Sequence, residues 1–238
     1  MDHLVQPAVT TIRERFWEPL TLDDLAQSAM VSKYHFLRVF SRVTGVTPGR
    51  FLSAVRLQEA KRLLLSTTLT VADISARVGY SSSGSFTRRF TESVGLSPTQ
   101  YRRLSLTART PQPAPPRPAP ATRPTAAVTG ILRTTGAHVP AVYVGAFDGA
   151  ILQGVPACWS STRAPGRFTL DHVPTGTWHI HAVAPHGPDR TLLTATAGPV
   201  RVDSSGGPPL DITLSPMDWT RPPILSALSG IDPQQQAA

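Results

Sequence analysis

This 238-residue chain is poor in cysteine, lysine and long apolar runs, and each shortage narrows its class before any motif is read. Cys158 stands alone, which excludes an internal disulfide framework. No stretch approaches the roughly 20 apolar residues that a membrane-spanning helix needs. The opening residues MDHLVQPAVT lack the basic-then-apolar run of a secretory signal, so a soluble, cytoplasmic protein with no membrane partner is expected. There is no nucleotide-binding glycine loop, nucleophile triad or metal-ligand cluster, so neither enzymatic activity nor a cofactor is expected. Lysine occurs twice against 21 arginines; with abundant Pro, Ala and Gly this suggests a GC-rich, bacterial coding genome and says nothing about mechanism.

Charge is unevenly spread. Residues 1–108 hold 14 Lys+Arg against 8 Asp+Glu, net +6; residues 109–125 add Arg109, Arg117 and Arg123 with no acid; residues 126–238 hold 6 Arg against 7 Asp. The positive field belongs to the N-terminal half and its tether, and it points to a polyanionic partner.

That half contains one pattern twice. Thr21 to Pro48 reads TLDDLAQSAMVSKYHFLRVFSRVTGVTP, and Thr70 to Pro98 reads TVADISARVGYSSSGSFTRRFTESVGLSP. Leu25/Ile74 and Ser32/Ser81 match at an offset of 49, whereas Phe36/Phe86, Phe40/Phe90, Gly45/Gly95 and Pro48/Pro98 match at 50, so one residue is added in the second turn. Ahead of the repeat, Val9, Ile12 and Phe16 lie at helical spacing. Thr21 with Asp24 reads as a capping box opening a short helix through Ser28. Ser32 caps a second helix to about Val43, burying Phe36, Val39, Phe40 and Val43 and showing Lys33, Tyr34, Leu37, Arg38 and Ser41 outward. Thr47-Pro48 starts the longer helix GRFLSAVRLQEAKRLLLS that joins the copies. Arg56 on it is expected to tie it to its neighbours. Thr70 caps the next short helix, and Ser82 or Ser83 begins a second exposed helix, with Phe86, Phe90 and Val94 inward and Ser83, Ser85, Arg88 and Arg89 outward. Ser97-Pro98 caps a last helix, TQYRRL.

Short helix, tight turn and exposed helix make a helix-turn-helix, whose second helix fits the major groove of B-DNA, about 12 Å wide. Over residues 5–104, with DISARVGYSSSGSFTRRFTESVGLSPTQYR as the most specific run and RLQEAKRLLL as the joining helix, the chain resembles the DNA-binding domain of AraC-type transcription regulators. That resemblance implies base contacts from Tyr34, Leu37 and Arg38 and from Ser83, Ser85 and Arg88. Lys33, Ser82 and Arg89 are the candidates for phosphate contacts, since short hydroxyls and cations at a helix start suit that role, and Ser32 completes the DNA-binding set. The family usually places its effector domain ahead of this domain, and here the extra domain follows it. Met30 stands where the second copy has Gly79; a positive φ would cost Met roughly 1 kcal/mol relative to Gly, so a differently shaped first turn is expected.

Residues 105–125 contain seven prolines within LTARTPQPAPPRPAPATRPT and read as a semi-rigid spacer of up to about 50 Å at roughly 3.1 Å per residue. From 126 to 218, the runs VTGIL, VYVGAF, RFTL, WHIHAVA, GPVRV and LDITL alternate with turn residues, the pattern of a small antiparallel sandwich. Gly-x-Phe-x-Leu followed by Val-Pro-x-Gly-x-Trp resembles the transthyretin-like, carboxypeptidase regulatory-like modules, which implies a hairpin with Phe168, Leu170, Trp178 and Ile180 inward and Pro174 to Gly176 as its turn. His179 and His181 have a spacing that can bind a metal, but with Trp178, Ile180 and Ala182 on the buried face an outward polar pair is the simpler account, and no metal is expected. Cys158 has no activating partner, and Asp23-Asp24 is a helix start. The tail, 219–238, is broken by prolines and expected to fray.

The fold expected is therefore multidomain: an all-α N-terminal domain (1–104) with two helix-turn-helix units, about 20–48 and 70–98, joined by a helix, then an all-β C-terminal sandwich for sensing or association. The function expected is sequence-specific transcription regulation on double-stranded DNA, with the protein nucleoid-associated when bound. RNA polymerase is a partner if the protein activates, and the C-terminal domain is where a small-molecule or protein effector would act. Two rivals stay open: an architectural DNA-binding protein of low sequence specificity, and a ligand- or protein-binding sandwich tethered to DNA.

Overall fold

A computed structural model describes residues 2–106, 123–134, 139–163, 165–186 and 191–227. The proline-rich spacer lies largely outside the described residues, as does the DPQQQAA terminus. The chain divides into a helical unit, Met1–Pro111 joined by Asp218–Ala227, and a β unit covering most of what lies between.

The helical unit runs α1 (Asp2–Glu14), α2 (Leu22–Ser28), α3 (Lys33–Thr44), α4 (Pro48–Ser66), α5 (Val71–Arg77), α6 (Ser83–Val94) and α7 (Pro98–Leu106). Its starts are the ones that side-chain chemistry dictates. Thr21 and Thr70 each accept from the backbone N–H three residues on, and Asp24 and Asp73 reach back to the cap N–H. Ser32, Thr47 and Ser82 cap α3, α4 and α6, and Pro48 stands at the first position of α4, where a missing N–H costs nothing. The capping hydrogen bonds hold both box carboxyls below the usual carboxylate range, Asp24 mainly through the Thr21 amide and Asp73 mainly through the Thr70 hydroxyl. Phe36, Phe40, Phe51, Phe86, Phe90 and Tyr101 are fully buried. They pack edge-on or tilted in matching sets, Phe36–Phe40–Phe51 and Phe86–Phe90–Tyr101, at centroid separations of 5.5 to 5.8 Å. Val43, expected in the stripe, is only half-buried, and Thr44 takes the interior place, with its hydroxyl satisfied by the Phe40 carbonyl at 2.9 Å.

The first turn does not differ from the second. Met30 adopts φ +54 and Gly79 φ +83, and the bonds correspond one for one: Met30 N–H to Gln27 O and Val31 N–H to Ala26 O, against Gly79 N–H to Ala76 O and Tyr80 N–H to Ser75 O. What differs is the surroundings. A Cβ at Gly79 would lie 2.6 Å from the Trp17 carbonyl and 3.0 Å from Arg56 Nη2, whereas Met30 is 92% exposed and its side chain enters water. The added residue falls after the turn, so Ser82, not Ser81, is the counterpart of the Ser32 cap.

The β unit runs β1 (Thr125–Thr134), β2 (Val142–Phe147), β3 (Cys158–Thr162), β4 (Gly166–Pro174), β5 (Gly176–His186), β6 (Thr191–Val202) and β7 (Leu210–Pro216). Where two antiparallel sheets were expected, the strands connect in one order, β3-β2-β5-β6-β7-β1-β4, with β1 and β7 parallel. β3 and β4, the ends of that order, approach each other, so the sheet curls almost into a barrel. β4 and β5 are not a hairpin: β4 pairs with β1, β5 pairs with β2 and β6, and Thr175 alone carries the chain between them. The inward side chains were legible all the same. Phe168, Leu170 and Ile180 sit in the core with Val128, Val144 and Ala182, and Trp178 packs against it while donating from Nε1 to the Pro174 carbonyl at 2.6 Å.

The second face of β2 and β5 is covered too, which removes the outward histidine pair. His181 is 2% exposed, its Nε2 2.8 Å from the Gly149 carbonyl and its Nδ1 2.9 Å from the Thr196 hydroxyl, with Phe147 edge-on at 5.3 Å. The segment after β2 folds back over this face, burying Ile151 and Leu152. Burial pushes His181 down to about 4, so it is neutral near pH 7. No group of three or more potential metal ligands forms among the described residues.

The tail also departs from expectation. Pro223, Leu225 and Ser226 are buried, in a segment that belongs to the helical unit. No helix among the described residues is long and apolar enough to cross a membrane.

Candidate nucleic-acid interface

Each exposed helix begins at a capped serine, and its four leading N–H groups and positive dipole end face outward with the residues around the cap. On α3, Ser32, Lys33, Tyr34 and Arg38 are exposed and Leu37 is half-buried. Tyr34 is 78% exposed, a large aromatic held in water with no packing reason to be there. Ser32 Oγ takes the His35 N–H at 3.4 Å, and Lys33 Nζ lies 3.5 Å from Asp23 Oδ1 in a solvated pair.

On α6, Ser82, Ser83, Ser85 and Arg88 are exposed. Ser82 and Ser85 are knotted together: Ser82 Oγ accepts the Ser85 N–H at 3.1 Å and Ser85 Oγ donates to the Ser82 carbonyl at 2.9 Å. Ser83 stands clear of that knot. Arg89 separates from the rest of the set: it is half-buried and its Nε points to Ser53 Oγ on α4, 3.4 Å away. Arg38 and Arg88, one per copy at an offset of 50, make no ion pair among the described residues, so both guanidiniums are open to an outside anion.

Arginines also set the spacing of the two helices. Arg56 on α4 donates from Nε to the Phe16 carbonyl at 2.6 Å and from Nη2 to the Glu18 carbonyl at 2.7 Å, and lies over the Tyr80 ring at 5.9 Å. It therefore grips the link before α2 and the turn before α6 at once; its burial lowers its pKa, but not enough to discharge a guanidinium. Arg102 on α7 does the same one repeat later, donating to Leu64 O at 3.2 Å and Leu69 O at 2.6 Å at the link before α5. Arg56 was expected in such a role; Arg102 was missed, because TQYRRL gives no sign of which arginine turns inward. His35 was missed as well, although it is exposed and stands 50 residues before Ser85, so the repeat offset was enough to find it.

Residues 25–104 match a family described as helix-turn-helix domain. The TetD protein of transposon Tn10 from Escherichia coli is 35% identical over 103 residues, covering 43% of this chain and 75% of that protein. The HTH-type transcriptional regulator Rv1931c of Mycobacterium tuberculosis is 43% identical over 82 residues, 34% of this chain and 32% of that one. Among solved structures, the DNA-binding domain of AdpA, a global transcriptional factor in complex with a target DNA, is 30% identical with a TM-score of 0.42, covering 46% of this chain and 97% of that one. The chain spans about a third of the length of the first curated relatives it matches.

Proposed function

Because the chain belongs to the AraC-type helix-turn-helix family, we propose that it is a sequence-specific transcription regulator that lays α3 and α6 in successive major-groove segments of one duplex. One observation carries this reading: the two copies repeat the same capped helix and the same turn bonds, and each offers one unpaired arginine at the same position on an exposed helix. Arg38 and Arg88 are the base-reading candidates, since a guanidinium can hold two acceptors of a guanine edge. Tyr34, Leu37, Ser83 and Ser85 line the same faces. Ser32, Lys33, Ser82 and Arg89 flank the helix starts, where phosphate anchoring is the better assignment, with Arg89 acting only if it leaves Ser53.

The β unit we assign to sensing or association, in the cytoplasm and on the nucleoid, with RNA polymerase as a further partner if the outcome is activation. Selection of bound duplexes from a random pool by the full chain tests the reading. An asymmetric motif with two half-sites about one helical turn apart supports it. No enrichment at moderate salt would leave only charge-driven binding, the architectural alternative.

A further inference from the structure

After β7 ends at Pro216, a single residue, Met217, leads into a segment that packs with the helices. Its path is set locally. Asp218 Oδ1 accepts the Thr220 N–H at 2.8 Å and the Thr220 hydroxyl, and the Asp218 carbonyl takes the Arg221 N–H at 3.3 Å, which turns the chain. Pro222-Pro223 then forbids helix and keeps the backbone extended. Leu225 and Ser226 are each 1% exposed. Two bonds seat the segment: Lys61 Nζ, on a fully buried side chain of α4, donates to the Ile224 carbonyl at 3.3 Å, and the Ala227 N–H donates to the Val94 carbonyl at 3.0 Å. Lys61 also lies 5.5 Å from the centre of the Tyr101 ring of α7.

Val94 is the last residue of α6, so its carbonyl is one of the four that a helix leaves without an internal partner. The Ala227 N–H supplies that partner from outside the helix.

We propose that Asp218–Ala227 is an intramolecular strap whose docking surface is the seam of α4 and α6, so that the far end of α6 is braced by the C-terminal chain. That α6 is a reading helix rests on the function proposed above; the docking does not. A backbone amide that is hydrogen-bonded in a buried segment exchanges slowly, and the Ala227 N–H is such a donor, so the strap is measurable without DNA.

The experiment is amide hydrogen exchange of the full chain, read peptide by peptide, for wild type, Leu225→Ala and Ala227→Pro. In the wild type, residues 224–227 should exchange at least tenfold more slowly than the same peptide free in solution. Ala227→Pro removes one donor and no buried side chain, and should speed exchange at the C-terminal end of α6 by about fivefold. Leu225→Ala should do the same through lost packing, with the β strands unchanged in both variants. Free-chain exchange of 224–227 in the wild type would overturn the proposal, as would variants in which α6 is untouched or the β strands loosen equally. Failure to select a DNA motif would leave this result standing and count only against the function.

Discussion

Replacing Met30 by Gly should stabilise the helical unit, and replacing Gly79 by Ala should destabilise it severely, although the two residues hold the same place in the same turn. At Met30 the left-handed backbone costs a side-chain-bearing residue about 1–2 kcal/mol. Glycine removes that strain but brings back roughly 0.5–1 kcal/mol of unfolded-chain entropy, and the exposed Met side chain buries almost nothing that would be lost. The net gain for Met30→Gly is about 0.5–1 kcal/mol. At Gly79 the same strain applies in reverse, and the new methyl meets the Trp17 carbonyl at 2.6 Å. That carbonyl cannot retreat cheaply, because Arg56 pins Phe16 O and Glu18 O on either side of it. Strain and overpacking together put Gly79→Ala at about 2–4 kcal/mol destabilising.

Far-ultraviolet circular dichroism during thermal unfolding reads this directly, because the helical signal comes from one unit and the other is all β. For a domain of this size about 1 kcal/mol moves the midpoint by 4–8 °C, so Met30→Gly should melt a few degrees higher and Gly79→Ala roughly 10 °C or more lower. Two shifts of the same sign, or a Gly79→Ala variant within a degree of wild type, would refute the argument that the Trp17–Arg56 contact, and not the turn, demands the glycine.

Arg38→Ala and Arg88→Ala should each weaken binding to the selected duplex by about 1–3 kcal/mol while leaving random-sequence binding nearly unchanged; equal losses on both would make them phosphate contacts. Arg56→Met leaves the Phe16 carbonyl without its donor and the Glu18 carbonyl with the Leu20 N–H alone, and should cost the helical unit about 1–3 kcal/mol, visible in the same melting experiment, with a near-neutral result counting against the clamp. His181 sits near 4 when folded and near 6.5 when unfolded, so the unfolded state takes up the proton first. The β unit should therefore lose up to about 3 kcal/mol as pH falls from 6.5 to 4, and His181→Asn should flatten that slope relative to wild type. Burial raises the Cys158 thiol to about 11, so it should resist thiol reagents in the native protein and react on unfolding; rapid native labelling would show that β3 opens.

The helical unit was legible because its signals are local. A threonine and an aspartate three apart, a proline at a first helical position and phenylalanines four apart each act within one turn, and the repeat gives every one of them a second instance. Even the candidate contacts could be transferred from one copy to the other, and His35 was missed by not doing so. The β unit was legible in its inward faces and not in its pairing. Alternation tells which side of a strand is wet, but β1 meets β7 across some eighty residues, and nothing within either strand encodes a parallel partner at that distance. The histidines were misjudged for a related reason: alternation assigned His181 to an open face, whereas the segment after β2 supplies a second cover from thirty residues upstream.

The strap was the hardest feature to foresee, and the reason is physical. PPILSA has no periodicity, its prolines block both helix and sheet, and by composition it reads as fray. What holds it is supplied from elsewhere: a carbonyl that Val94 leaves open and an ammonium that α4 has already buried. Neither is marked in the sequence: any helix end leaves such a carbonyl, and Lys61 is one of several charged residues on the joining helix. A repeat is informative twice: agreement between its copies marks what the fold requires of each, and disagreement marks where one copy is completed by some other part of the chain. By that criterion Met30/Gly79 is such a signal, since Gly79 makes room for the link after α1 where Met30 has only water beside it.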